Sequence, residues 1–87
     1  MFFAYVIYSV KFNRYYKGHC ENLKNRLSEH NAGRVKSTKA FIPWEIYYFE
    51  EYASREKAIT REKYFKSGAG RRFIKSKLMK SPGSPPA

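Results

Sequence analysis

The sequence predicts an α/β (α+β) fold: one domain with a three-stranded antiparallel sheet, the first strand central, flanked by three helices. Three observations predict it. Aromatic and β-branched residues fill two extended runs, 2–10 and 44–52, and a short return run at 14–18 follows the first across a polar turn. Two side-chain ridges, one position apart, recur at four-residue intervals over 21–32, and a second helical stripe covers 54–67. Gly18, Gly33, Pro43 and Gly68 fall at the ends of these runs.

Taken in order, residues 2–10 contain no Gly or Pro and suit a central strand. Lys11-Phe12-Asn13-Arg14 supplies a turn short enough for a hairpin, and residues 14–18 return, stopped by Gly18. From Glu21 to Ala32, Leu23, Leu27 and Asn31 form one ridge, with Arg26 and His30 beside it. Glu21 suits the helix start and Gly33 its C-terminal cap. The loop 34–43 is basic and ends at Pro43, which discourages helix just before it. Residues 44–52 read as the third strand. The second helix starts from Ser54 as N-cap, with Glu56 in its first turn, and runs to about Ser67. Its apolar stripe is Ala58, Ile59 and Phe65, with Glu62 inside that stripe. A third helix, from Gly70 to about Met79, turns Phe73, Ile74 and Leu78 inward. Residues 1–80 form the domain, and the Pro/Gly/Ser-rich segment 81–87 is expected to be a disordered tail.

A chain of 87 residues holds one such domain and buries roughly 60% of the surface its unfolded form exposes. Its 18 Lys+Arg stand against 7 Asp+Glu, a formal net charge of +11. A small domain with that imbalance repels itself unless something acidic is near. Nucleic acid is the common acidic partner, because each cation near a phosphate releases condensed counterions; an anionic membrane surface is the weaker rival. One cysteine, Cys20, excludes an internal disulfide and leaves secretion unsupported. The apolar opening MFFAYVIYSV lacks the basic leader and small-residue cleavage site of a signal peptide. It is also far short of the roughly 20 apolar residues that a membrane span needs. It reads as a buried strand of a cytoplasmic protein.

Much chemistry is excluded. There is no Gly-rich phosphate loop and no cluster of carboxylates for a two-metal site. Cys20, His19 and His30 match no structural zinc spacing, and nothing identifies an orienting partner for a cysteine nucleophile. What remains is a dispersed polar set: Tyr8 and Tyr16 from the hairpin, Arg26 and His30 one turn apart on the first helix, and Glu62 on the second. Each also has a plain structural explanation, as core tyrosines, a solvated helix face, and a carboxylate paired with a lysine.

The order and spacing of these residues resemble the GIY-YIG endonuclease superfamily. Its two tripeptides on adjacent strands correspond here to Val6-Ile7-Tyr8 and Tyr16-Lys17-Gly18. The helix with Arg and His four apart, ending in Asn and Gly, corresponds to LKNRLSEHNAGRVKSTK at 23–39, and the lone later Glu to Glu62 in TREKYFKSG. The resemblance covers about residues 3–75 and is nearest to small stand-alone members, themselves similar to the N-terminal nuclease domain of the excision-repair endonuclease C subunit. The chain departs from the pattern at Val6, where Gly is usual, and at Lys17, where Ile is usual. It also has no Asn after Asn31, where many members carry one beyond the Glu. Lys17 is expected on an exposed edge or pointing at DNA.

The resemblance implies a Mg²⁺-dependent endonuclease acting on DNA, RNA not excluded, in structure-directed or repair-type nicking. Tyr8 would act as general base and Tyr16 position water or phosphate, while His30, titrating near neutrality, relays a proton. Arg26 would clamp the phosphate with two parallel donors, and Glu62 would hold one Mg²⁺ beside the scissile phosphate. A monomer is expected. The alternative on the same fold is a non-catalytic nucleic-acid-binding module, or a subunit active only with a partner.

Further DNA contact is expected from Arg34, Lys36 and Lys39 in the loop after the first helix and from Arg71 and Arg72 at the start of the third. Replacing Arg34, Lys36 and Lys39 together by Ala should flatten the log–log salt dependence of DNA binding by about 0.9 per lost phosphate contact. An unchanged slope in a titration against salt would move the DNA path elsewhere.

Overall fold

A computed structural model describes the fold of residues 1–80 and side chains through residue 77. The expected disordered tail, 81–87, lies outside the described residues, as does the inward turn of Leu78. The elements are β1 (Phe2–Ser9), β2 (Arg14–Cys20), α1 (Leu23–Asn31), a single 3₁₀ turn (Lys39–Phe41), β3 (Glu45–Tyr52), α2 (Arg55–Lys66) and α3 (Gly68–Lys80). The strands make one antiparallel sheet in the order β2-β1-β3, so the first strand is central, as its composition predicts. Among the described residues no helix is long and apolar enough to cross a membrane.

The central strand is covered on both faces, which is why Ala4 to Ile7 are all buried. Alternation sorts them. Ala4 and Val6 pack with Phe65 of α2 and Ile74 of α3. Tyr5 and Ile7 pack on the opposite face with Cys20 and Trp44, joined by Leu23 and Leu27 of α1. The hairpin turn is closed by Asn13 in the left-handed region (φ 52°), which Asn tolerates better than most residues, and its N–H donates to the Val10 carbonyl at 3.4 Å. This turn sets the register: Tyr5 lies opposite Gly18, Ile7 opposite Tyr16 and Tyr8 opposite Tyr15.

Several boundaries differ from the sequence reading. The first helix is capped by Asn22, whose side-chain oxygen accepts from the Asn25 N–H at 3.0 Å, so Glu21 lies outside it. Strand β2 runs through Gly18 to Cys20. Gly18 does not stop the strand; it makes room. The Tyr5 side chain crosses it so closely that a Cβ there would sit 2.6 Å from the Tyr5 hydroxyl oxygen. The third helix begins at Gly68, two residues earlier than expected, because Ser67 caps it: its side-chain oxygen accepts the Gly70 N–H at 3.0 Å and its carbonyl accepts the Arg71 N–H at 2.9 Å. A Cβ at Gly70 would fall 1.7 Å from the Tyr64 carbonyl oxygen. At the other end of the sheet, Asn31 clamps α1 to the start of β3: its amide donates to the Trp44 carbonyl at 2.9 Å and accepts the Trp44 N–H at 2.6 Å.

The two glycines of the α2–α3 junction make a paired test. Gly70→Ala drives a methyl into backbone and should destabilise the fold by about 3 kcal/mol, the upper range for overpacking. Gly68→Ala meets nothing closer than the Arg72 guanidinium at 3.6 Å, so it should stay within about 1 kcal/mol of the parent. Urea unfolding of the two variants checks the contrast.

Candidate active site

The candidate site straddles the edge strand β2, with one group of side chains on each face. On the α1 face, Leu23 and Leu27 seat the helix against the sheet, and this turns the adjacent ridge, Arg26 and His30, toward Tyr5 and Tyr16. The Tyr5 hydroxyl and His30 Nε2 are 2.9 Å apart, and both residues are almost fully buried. His30 Nδ1 lies 2.7 Å from Thr38 Oγ1, and the Thr38 hydroxyl donates to the Val35 carbonyl at 3.4 Å. A neutral imidazole donates through one ring nitrogen and accepts at the other, so His30 links Tyr5 and Thr38 in one hydrogen-bonded chain. The half-buried Tyr16 packs edge-on against His30, ring centroids 5.1 Å apart.

Solvent exclusion governs the titration of this group. Burial pushes the Tyr5 phenol up to about 12, although Arg26 opposes the rise. Burial pulls the His30 imidazole down to about 4, with the Arg26 charge acting the same way. Tyr5 and His30 are therefore both neutral at pH 7. The Arg26 guanidinium is partly exposed and donates to Glu29 Oε1 at 2.8 Å.

On the other face, Lys17 and His19 alternate with Tyr16 and Gly18 and point toward α2. Arg61 fixes that helix by donating to both carboxylate oxygens of Glu50 on β3, at 2.7 and 3.2 Å. Glu62, one position on, reaches β2: its Oε1 accepts from His19 Nδ1 at 2.5 Å, and Lys66 Nζ lies 2.7 Å from its Oε2. Burial raises the Glu62 carboxyl, but Lys66 and His19 outweigh it and hold the group below the usual carboxylate range. Lys17 is pulled down, first by burial and then by the charges of Arg71 and Lys66.

Five residues were expected to converge. Tyr16, Arg26 and His30 do, and Glu62 lies across β2 from them. Tyr8 does not. It shares a face with Ala4 and Val6, packs against Tyr15 (4.6 Å) and Tyr47 (5.8 Å), and donates to Asn13 Oδ1 at 3.0 Å. Tyr5 stands where Tyr8 was expected. Strand parity could have found it: Tyr16 lies opposite Ile7, so its face takes odd-numbered β1 residues. The near-neutral relay expected of His30 is corrected by its burial. The sequence weighs His19 only as a zinc ligand and gives Thr38 no role; His19 follows the second tripeptide directly, and only the fold brings Thr38 under the imidazole. Lys17 is on the edge strand, as expected, but half-buried on the Glu62 side. Arg34 and Lys36 are exposed in the loop that carries Thr38, Lys39 is exposed at the start of the 3₁₀ turn, and Arg71 and Arg72 are exposed on α3, where the Arg71 charge reaches Lys17.

Among the described residues no group of three His, Cys, Asp or Glu is placed to hold a metal ion. Glu62 fits a hard divalent cation only as half a site, because Mg²⁺ takes one or two carboxylates and completes its shell with water and substrate phosphate.

The family model described as the GIY-YIG catalytic domain matches residues 1–75. A UPF0213 protein of Streptococcus pneumoniae is 38% identical over 53 residues, covering 60% of this chain and 54% of that protein. A UPF0213 protein of Streptococcus pyogenes is 40% identical over 52 residues, covering 59% of this chain and 56% of that protein. The chain thus spans about half the length of the curated relatives it matches. No solved structure matches it.

The buried imidazole makes a pH prediction. His30 is lowered to about 4 in the fold, whereas an unfolded histidine titrates near ~6.5. The unfolded state therefore binds the extra proton first. Stability should be full above the unfolded value and decline as pH falls toward the folded one, by about 2 kcal/mol between pH 7 and 5. Denaturant midpoints across this range should fall for the parent and much less for His30→Gln; parallel slopes would contradict the assignment.

Proposed function

The chain belongs to the GIY-YIG catalytic domain family, and on that premise we propose that it is a Mg²⁺-dependent DNA endonuclease that nicks branched or damaged DNA in the cytoplasm. The observation that carries this reading is the hydrogen-bonded chain Tyr5–His30–Thr38 beside Tyr16 and Arg26, with the Glu62 carboxylate across the same strand edge.

Phosphodiester hydrolysis needs an activated water, stabilisation of charge on the phosphoryl oxygens and help for the leaving oxygen. Arg26 presents its guanidinium to two phosphoryl oxygens. Tyr16, the more exposed phenol, orients the water. The Tyr5 oxygen takes the proton from water while passing its own to His30 Nε2, so no free phenolate has to form. An imidazole titrating at about 4 is a weak acceptor in the free protein. A phosphate on Arg26 removes one of the two causes of that depression and raises the basicity of His30 when substrate is present. Glu62 would hold the Mg²⁺, which when bound supplies Lewis-acid stabilisation to the phosphoryl and leaving oxygens. His19 and Lys66 now occupy both Glu62 oxygens and must yield one for this.

That occupancy is the one observation favouring the second reading, a binding module on the same fold. Parent protein with Mg²⁺ should cut flapped, branched or nicked DNA, leaving 3′-hydroxyl ends; binding without cutting would favour the module. Glu62→Gln should abolish cutting while binding persists, and undiminished cutting would remove Glu62 from its role. Tyr5→Phe should lose about 100-fold or more in rate, the scale of general acid–base catalysis, while Tyr8→Phe stays within about twofold.

A further inference from the structure

The sheet face that carries Glu62 has a second feature that this chemistry does not use. Tyr8, Tyr15 and Tyr47 form an aromatic wall near the hairpin turn. The Tyr8 and Tyr15 rings lie 4.6 Å apart at 32°, and Tyr47 sits 5.8 Å from the first and 5.5 Å from the second. Tyr15 stands on the edge strand and is 37% exposed, so the wall opens to solvent on that side. Along the same face of β2 follow Lys17, within the field of Arg71 and Lys66, and His19, which holds Glu62. Aromatic ring, cation and carboxylate partner thus succeed one another at two-residue steps of roughly 6.8 Å.

One exposed tyrosine is ordinary surface. Three rings in contact, aligned along β2 with Lys17 and with the histidine that holds the candidate catalytic carboxylate, make the pattern that binds unpaired nucleic acid: a charged track for the backbone and an aromatic platform for a base. The net charge of +11 supplies the matching field.

We propose that Tyr15, backed by Tyr8 and Tyr47, stacks one unpaired base of a DNA strand whose backbone runs past Lys17 and Arg71 to Glu62. This deepens the proposed function and rests on it, because it names the substrate class as DNA with a single-stranded flank beside the cut. His19 lies four residue steps beyond Tyr15, roughly 14 Å along the strand. The stacked base therefore lies about two nucleotides of extended strand from the scissile phosphate.

The test is binding by Glu62→Gln protein, which keeps the DNA intact, to a blunt duplex and to the same duplex with a single-stranded flap. 2-Aminopurine is placed in turn at each of the first four flap positions. Adding Tyr15→Ala should weaken flap binding about tenfold, or ~1.4 kcal/mol, and change duplex binding by less than about twofold; Tyr15→Phe should retain flap affinity. Quenching of 2-aminopurine should peak about two nucleotides from the junction and vanish with Tyr15→Ala. Equal losses on both DNAs, failure of Phe to rescue, or quenching indifferent to position would overturn the stacking site while leaving the nuclease reading standing. Failure to bind either DNA would overturn both.

Discussion

The structure depends on the buried hydrogen bond between the Tyr5 hydroxyl and the His30 imidazole. It joins the central strand to the first helix across the edge strand, and Thr38 extends it into the following loop. Two polar groups withdrawn from water must find partners, since each left unsatisfied would cost about 1–3 kcal/mol. The pair therefore fixes the rotation of α1, and with it the position of Arg26 one turn earlier. Gly18 is required by the same contact, because any side chain there would displace the phenol.

Placing the site on an edge strand has a physical logic. A central strand separates its two faces by the full width of the sheet, whereas side chains on both faces of an edge strand can reach around one rim. Here the α1 face holds a neutral phenol–imidazole pair beside a guanidinium, and the α2 face holds a carboxylate among cations. The two environments drive titration in opposite ways: burial keeps His30 uncharged, while Lys66 and His19 keep Glu62 charged. The charges along β2 also guard an unpaired edge against pairing with another chain. Lys17, half-buried in the middle of β2, serves that purpose.

The α2 face is held in place by a network separate from the site. Glu50 accepts from Tyr48, from the Tyr52 hydroxyl at 2.5 Å and from Arg61, and the Arg61 guanidinium lies over the rings of Tyr64, Phe65 and Phe73. Such a satisfied polar cluster gives α2 one rotation and leaves Glu62 a single direction to face. The aromatic excess of the sequence is thus divided between a core that orients the helices and an edge wall, Tyr8–Tyr15–Tyr47, that remains partly open.

The sequence by itself determined the kinds and order of the elements, because aromatic extended runs, the Ser54 cap and helical spacing are local properties. It also singled out Arg26, His30 and Glu62, since spacing along a helix needs no other element to be read. It could not choose between Tyr5 and Tyr8. That choice is a matter of strand parity, which the register of the hairpin decides. Nor could it give the charge of His30 or the company of Glu62. Solvent exclusion and cross-strand neighbours such as Thr38 and His19 set those, and they exist only once the sheet and its helices have packed.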